Sequence, residues 1–319
     1  MILRYNEWVS EQQRENPYST HLDEKLITFG GRAYPKFGNI VIISGGAGSG
    51  KDFQLQNLLG IEGKVFDVDH LKTLALSAPK ISKEIGERMG INPKDIDLTN
   101  PEHVKMIHDI TTDVMRLGKK RDDALERGLR ISDDIMFSHR NRKPNLIFNV
   151  TMARLGKLWE IGLYAKNMGY DLKDIHIVWV INDIEVAKKQ NLDPTRGRVV
   201  PEEILINTHS GASNTMADIL EMGEDLGKKY MDGDIWLSFN KKGVNTRLEF
   251  SPSGGSWIAD AEYFKIKERG KRSKSIKDIS PKIREMIGDY VPSTSSDRWK
   301  KVSDRDLNVA KNILKIGKK

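Results

Sequence analysis

The sequence feature that most constrains the fold is a glycine-rich segment that joins a buried-type strand to a helix. Residues 39–44 (NIVIIS) form a continuous apolar run, as in strands that are covered on both faces. The segment GGAGSGKD follows at 45–52, and helical spacing of apolar residues begins at Phe53. Glycines let successive backbone N–H groups turn inward around an anion, and a helix that starts there adds its positive end. The segment is therefore expected to bind phosphate groups.

The segment matches the pattern G-x-x-x-x-G-K, in which the lysine reaches the terminal phosphates of a nucleotide. The pattern normally continues with a Ser or Thr hydroxyl for Mg²⁺, but here Asp52 follows Lys51. A carboxylate can ligate Mg²⁺ directly, yet it also places a negative charge beside the phosphates when no metal is bound. Asp52 therefore either reshapes the metal site or marks a protein that binds nucleotide poorly. The expected phosphate-binding residues are Gly45, Gly46, Ala47, Gly48, Ser49, Gly50, Lys51 and Asp52.

Three more apolar runs predict strands, at 64–69, 145–150 and 175–181. Helical spacing separates the strands, and residues 73–143 lack strong strand signals, which indicates a helical insert. Fully buried strands that alternate with helices are typical of a parallel sheet with helices on both faces. The expected fold class is α/β, with three layers built around a parallel sheet.

Beyond residue 230 the pattern changes. Residues 234–240 and 244–250 alternate around a glycine turn, which predicts a C-terminal β-hairpin. The expected organisation is an N-terminal arm at 1–37, an α/β domain at 38–230, and the hairpin with a basic tail at 231–319. Four aromatic residues here could stack on nucleic-acid bases or form the core of the hairpin, namely Trp236, Phe239, Phe250 and Trp257.

Positive charge is concentrated in the C-terminal part of the chain. The net charge is +7, and residues 261–319 hold 17 Lys or Arg against 8 Asp or Glu, so the first 260 residues sum to −2. A segment this basic can bind nucleic acid, because each neutralised phosphate releases counterions. It can equally be a solvated tail, and both interpretations stay open.

Composition excludes several classes of protein. There are no cysteines, so disulfides, thiolate metal sites and thiol catalysis are excluded. No apolar run approaches the ~18 residues of a membrane span, and the N-terminus lacks the layout of a signal peptide. The cytoplasm is the expected location, and no membrane partner is expected.

Two acidic residues follow the second predicted strand. Asp67 and Asp69 stand where the carboxyl end of a parallel strand would lie, which is where catalytic side chains collect in such sheets. A carboxylate there could accept the proton of a hydroxyl that attacks a γ-phosphate, and Asp69 is the preferred candidate. The alternative is that one of the acids caps the next helix.

Two arginines precede Pro201. Arg196 and Arg198 are separated by one glycine, in a segment that follows a predicted short helix. Planar guanidinium groups stabilise charge on a transferred phosphoryl group, so the segment is expected to close over the phosphates. A basic surface loop is the alternative.

The order of GGAGSGKD, FDVDHLK and NLDPTRGRVVPEEIL resembles that in P-loop kinases of the zeta-toxin and polynucleotide-kinase type. The resemblance covers roughly residues 38–220 and extends to zeta-toxin-like proteins of large tailed phages. It implies a P-loop kinase-like domain in which Lys51 holds the β- and γ-phosphates, Asp69 is the base, and Arg196 and Arg198 are lid arginines. It also implies substrate contacts by three residues, Lys72, Asn149 and Thr151. Asn149 replaces a glutamate that contacts the substrate in zeta toxins, so their nucleotide-sugar substrate does not transfer directly.

The expected function is transfer of the γ-phosphate of ATP or GTP, with Mg²⁺, to a hydroxyl on a nucleic acid or nucleotide-linked substrate. The alternative is a catalytically weak P-loop protein that acts as a nucleotide- or DNA-binding scaffold, such as a phage structural component. The location would then be the host cytoplasm or the virion. Asp52 favours the scaffold, whereas Lys51, Asp69 and Arg198 favour the kinase.

Overall fold

The computed structural model describes most of the chain, except for its two ends, part of the helical insert and several shorter segments. The described residues are 27–30, 35, 37–67, 79–97, 99–100, 102–107, 143–192, 199–240, 248–250, 257–259 and 261–301. The predictions for Asp69, Lys72, Arg196 and Arg198 lie outside these ranges.

Within the described residues a six-stranded sheet and a two-stranded sheet are present. The strands are β1 (Ile40–Ser44), β2 (Lys64–Asp67), β3 (Leu146–Val150), β4 (Ile175–Ile181), β5 (Ile235–Asn240), β6 (Leu248–Phe250), β7 (Trp257–Ala259) and β8 (Ala261–Lys267). The large sheet has the order β2-β3-β1-β4-β5-β8, with parallel pairing from β2 to β5 and an antiparallel β8. The expected α/β class with a parallel sheet is confirmed.

Helices connect the strands and cover the sheet. They are α1 (Lys51–Asn57), α2 (Pro79–Met89), α3 (Gly156–Asn167), α4 (Ile184–Asn191), α5 (Glu202–Glu221), α6 (Glu224–Lys229), α7 (Pro281–Tyr290) and α8 (Ser293–Lys300). Short 3-10 helices lie at Pro93–Asp95, Leu172–Asp174 and Ile276–Asp278.

The central strands β1, β4 and β5 are buried along their whole length, as the apolar sequences of β1 and β4 predict, whereas the edge strand β2 is partly exposed. Ile40 and Ile42 belong to the larger core cluster, whereas Val41 and Ile43 belong to a second one. Successive side chains of a strand point to opposite faces, so β1 lies between two apolar layers. The larger cluster includes residues of α3, α5, α7 and α8.

The predicted pairing of 234–240 with 244–250 is wrong. β5 lies between β4 and β8 in the large sheet, and β6 pairs with β7 as the antiparallel C-terminal hairpin. Every residue of β5 is buried, so this strand is covered on both faces instead of having one solvated face. Trp236 and Phe239 are core residues, which leaves neither ring open for stacking on a base. The side chains of Phe250 and Trp257 lie outside the description.

Much of the segment expected as a basic tail is folded onto the sheet. Ile276, Ile287 and Trp299 are buried in the larger core cluster, so residues 261–301 are not a solvated tail. The sheet also crosses the boundary expected near residue 230, because it includes β5 and β8. Residues 302–319 lie outside the description, and the division into three regions otherwise remains a prediction.

The helical insert and the N-terminal arm are described in part. In the insert, Ile85, Met89 and Ile107 form a small separate core. In the arm, Ile27 and Phe29 are fully buried against the second core cluster. The last residues of the arm therefore pack on the α/β domain.

Candidate functional site

The glycine-rich segment forms the expected turn between β1 and α1. Gly48 has a φ of 71° and Gly50 a φ of 86°, in the left-handed region that favours glycine. Gly50 is the N-cap of α1, and Lys51 is the first residue of that helix. Loop amides and the positive end of α1 therefore lie together at the carboxyl edge of the parallel sheet.

Lys51 folds back over this loop, which we call the phosphate loop (residues 45–50). Its Nζ donates hydrogen bonds to the carbonyl oxygens of Gly45 and Gly46, each at 3.0 Å. The side chain is partly buried. The ammonium group consequently adds a positive charge directly at the loop.

Three polar residues meet beside the loop at the same edge. Asn149 Nδ2 donates to Asp52 Oδ1 at 3.0 Å and to Asp67 Oδ2 at 3.1 Å. Asp67 ends β2 and pairs in register with Asn149 on β3, while Asp52 is the second residue of α1. The structure therefore places two of the expected site residues, Asp52 and Asn149, next to the first acid of the predicted pair.

The chain makes a strained turn just beyond β3. Thr151, an expected substrate contact, is partly buried, and Met152 has a φ of 51° although it is not glycine. The Met152 side chain is buried in the larger core cluster. The turn follows the carboxyl end of β3, so it lies at the same edge of the sheet as the phosphate loop. Left-handed non-glycine residues cost of order 1–3 kcal/mol and cluster at functional sites.

Two asparagines at the ends of the neighbouring strands β4 and β5 donate hydrogen bonds to backbone carbonyl oxygens of the phosphate loop. Asn240, at the end of β5, donates from Nδ2 to the carbonyl oxygen of Ser49 at 2.5 Å, and its Oδ1 accepts from Gln54 Nε2 at 3.2 Å. Asn182, directly after β4, donates to the carbonyl oxygen of Gly48 at 3.2 Å. Sequence reasoning missed Asn240 because it placed β5 in a hairpin, although a polar residue ending an apolar strand was the available signal.

Two buried side-chain oxygens at the loop have no partner within the described part of the chain. They are Ser49 Oγ and Asn182 Oδ1. Most buried polar atoms in proteins are paired, and exceptions point to functional sites or to ordered water. Both atoms lie at the loop that was expected to bind a ligand.

Helix α5 contacts the loop through two consecutive residues that the sequence did not single out. The Ala47 N–H donates to Thr208 Oγ1 at 3.1 Å, and His209 Nε2 bonds the Ala47 carbonyl oxygen at 2.8 Å. A Cβ added to Gly46 would overlap the His209 ring. Gly46 is therefore needed because the imidazole ring packs against its backbone.

The His209 ring is neutral at neutral pH. The pKa of His209 is lowered from 6.5 to about 4, chiefly because the ring is buried; the hydrogen bond to Ala47 opposes this shift, and the nearby Lys51 charge adds to it. A carbonyl oxygen only accepts, so Nε2 carries the proton and donates it to Ala47.

The described part of the chain holds neither a ready-made metal cluster nor a membrane span. Throughout the described ranges, no group of three or more His, Asp or Glu residues is placed to hold a metal ion. Among the helices described, none is both long and apolar enough to cross a membrane.

No protein-family model matches the chain, and no curated protein does. Among solved structures, the chain is similar to one from the PezAT chromosomal toxin-antitoxin system of the human pathogen Streptococcus pneumoniae. The sequence identity is 10%, and the match covers 98% of this chain and 97% of that chain. The TM-score is 0.32, too low for the likeness to carry an argument about function.

Proposed function

We propose that this chain is a P-loop phosphotransferase that moves the γ-phosphate of ATP or GTP to a hydroxyl group. The observation that carries the proposal is the placement of Lys51 at the start of α1, with its Nζ on the carbonyl oxygens of the phosphate loop. A cation, loop amides and a helix N-terminus at one point form a site for the terminal phosphates of a nucleotide.

In this proposal the acceptor oxygen attacks the γ-phosphorus while the bond to the oxygen bridging the β- and γ-phosphorus breaks. The hydroxyl proton passes to the carboxylate of Asp69, and the nucleoside diphosphate leaves. Lys51 would offset the charge on the β- and γ-phosphates, while Arg196 and Arg198 would stabilise charge on the phosphoryl group. Lys72, Asn149 and Thr151 would contact the acceptor.

The residues at this edge fit a magnesium ion. Asp52 and Asp67 supply hard carboxylate oxygens. Asn149 Nδ2 donates a hydrogen bond to one oxygen of each, at 3.0 and 3.1 Å, and so keeps the two carboxylates close together. These two carboxylates would hold Mg²⁺, which when bound supplies positive charge to the phosphates. A pair of protein ligands suits Mg²⁺, because it usually keeps waters and phosphate oxygens as its other ligands.

The test is transfer of label from γ-labelled ATP, with Mg²⁺, to 5′-hydroxyl oligonucleotides, hydroxymethylated DNA and nucleotide sugars. Labelling of one acceptor by the wild type and its loss in Lys51→Ala are expected. The control is Lys228→Ala, because Lys228 is exposed and pairs with Glu224 on the surface. A wild type that binds ATP and labels no acceptor would contradict the kinase proposal.

A second candidate is a nucleotide-binding scaffold without catalysis. The observation that favours it is Asp52, whose carboxylate replaces the usual hydroxyl and is hydrogen-bonded by Asn149. The discriminating variant is Asp52→Thr, measured in the same label-transfer assay. The scaffold predicts activity in the variant and none in the wild type, whereas the kinase predicts that the wild type is already active.

The basic residues of the C-terminal part matter for one element of the proposal, namely a nucleic acid as the acceptor. β8 runs antiparallel to β5, with Lys267 opposite Ile235 at the start of β5. Basic residues just after β8, such as Lys271 and Arg272, therefore lie at the sheet edge opposite the phosphate loop. A nucleic acid that presents its end to the loop would have to be held elsewhere, and residues 302–319 are our candidate.

A further inference from the structure

Both backbone hydrogen-bonding groups of Ala47, a residue in the centre of the phosphate loop, are held by α5. The N–H donates to Thr208 Oγ1 at 3.1 Å, and the carbonyl oxygen accepts from His209 Nε2 at 2.8 Å. Thr208 and His209 are adjacent in one turn of the helix. The two peptide groups that flank Ala47 are thus both attached to the same rigid element.

The Thr208 hydroxyl has a fixed direction. It donates its own hydrogen to the carbonyl oxygen of Leu205 at 2.8 Å, one turn earlier in α5. A hydroxyl has one hydrogen, so Oγ1 faces Ala47 only as an acceptor. A nucleotide phosphate is also only an acceptor towards this N–H, so the hydroxyl oxygen and a phosphate oxygen have the same chemical role here.

We propose that Thr208 competes with the phosphates of a nucleoside triphosphate for the Ala47 N–H, and that this bond from α5 thereby opposes nucleotide binding. This inference rests on the proposed function, because it concerns how that site is occupied. Thr208 and His209 are positioning residues that act through the backbone of Ala47. Nucleotide binding exchanges the bond to Thr208 for a bond to phosphate.

The test compares Thr208→Val with Thr208→Ser in binding of ATP with Mg²⁺, measured by titration calorimetry. Valine keeps the shape of threonine but removes the acceptor, so the free protein loses a hydrogen bond that the nucleotide-bound protein does not make. The Kd of Thr208→Val is expected to fall about three- to tenfold, the size of one neutral hydrogen bond. Serine retains the oxygen, and its Kd should stay within about twofold of the wild type.

A second measurement follows the free protein directly. Hydrogen exchange of the Ala47 amide should be faster in Thr208→Val than in Thr208→Ser, because its acceptor is gone. The same exchange measurement also reports whether the variant is folded, since the amides of β1 and β4 should keep their wild-type protection. Thr208→Ala serves as the replacement if the valine variant does not fold, with the same expected direction in Kd.

The outcomes separate this inference from the proposed function. If the wild type binds ATP and Thr208→Val binds it equally or more weakly, the competition is disproved while the nucleotide site stands. If neither the wild type nor any variant binds ATP, the proposed function fails and the inference fails with it. Binding by Thr208→Val but not by the wild type would support the inference most strongly, because Thr208 would then block the loop.

Discussion

At the scale of single residues, a close approach between the phosphate loop and α5 decides what position 46 can hold. The His209 ring lies where a Gly46 side chain would begin, and His209 is only 5% exposed. Gly46 does not have a positive φ, so its backbone conformation does not require glycine. Its packing against His209 does.

Substitution of Gly46 tests this packing. Gly46→Ala should lower the free energy of unfolding by about 1–3 kcal/mol, as overpacked sites do, in a urea titration. Gly156→Ala is the matched control, because a Cβ at this helical position meets nothing within 4 Å. The control should be neutral or slightly stabilising, since alanine favours helices more than glycine does. Equal stabilities for the two variants would contradict the assigned packing.

Burial of neutral His209 should make stability depend on pH. Its pKa is 6.5 when unfolded and about 4 when folded, so between these values the unfolded chain binds more protons. The stabilisation is complete above pH 6.5 and is lost as pH falls towards 4, with a total of order 3 kcal/mol. Urea titrations at several pH values should show this slope in the wild type. The slope should be reduced in His209→Gln, and an unchanged slope would show that another group causes it.

At the scale of elements, the C-terminal helices belong to the core of the α/β domain. Trp299 of α8 is fully buried, its ring centroid lies 5.5 Å from that of Trp179 on β4, and its Nε1 donates to Ser213 Oγ of α5 at 2.8 Å. Ser210 and Thr294 also bond across α5 and α8 at 2.9 Å. Helix α8 therefore supports the helix that holds Ala47.

Removal of the Trp299 ring should cost stability on the scale of a core truncation. Trp299→Ala should lower the free energy of unfolding by about 3–5 kcal/mol, since it leaves a cavity and an unpaired Ser213 hydroxyl. Lys301→Ala is the control, because the Lys301 ammonium pairs with Asp297 at the surface. Loss of this exposed ion pair should change the free energy of unfolding by less than about 1 kcal/mol. A change below about 1 kcal/mol for Trp299→Ala would mean that α8 is not part of the cooperative core.

At the scale of the whole molecule, the basic residues just after β8 and the phosphate loop lie at opposite edges of the large sheet. The basic residues just after β8, such as Lys271 and Arg272, lie at the amino edge of the parallel strands, where Arg269 pairs with Asp174 at 2.7 Å. The phosphate loop lies at the carboxyl edge. The net charge of the C-terminal part therefore does not by itself place a polyanion at the loop.

Removal of residues 302–319 tests where a nucleic acid binds. A chain ending at Lys301 retains α8 and should bind a single-stranded oligonucleotide more weakly than the full chain. Its plot of log K against log salt should also be flatter, by about 0.7 for each phosphate that the shortened chain no longer neutralises. The comparison is the full chain carrying Lys271→Gln and Arg272→Gln, which should bind like the wild type. The reverse result would assign the binding to the amino edge.

The phosphate loop and the parallel sheet could be predicted from the sequence because their signals are local. A run such as IVIIS, a glycine cluster and a lysine specify strand, turn and helix through backbone conformation and short-range periodicity alone. The register that brings Asp67 opposite Asn149 follows once the strands are parallel. Asp52 stands out as a departure from the G-x-x-x-x-G-K pattern and Asn149 through the family resemblance, and neither signal predicts the hydrogen bond between them.

Tertiary structure alone decided which distant segments complete the site. Thr208 and His209 lie 161 and 162 positions from Ala47, and nothing in the local pattern of α5 indicates which turn faces the loop. The same holds for β5 and for Trp299, whose partners depend on the order of strands and on helix docking. Local periodicity determines the type of an element. The choice of neighbour depends on which packing of the whole chain buries the most apolar surface while pairing its polar groups.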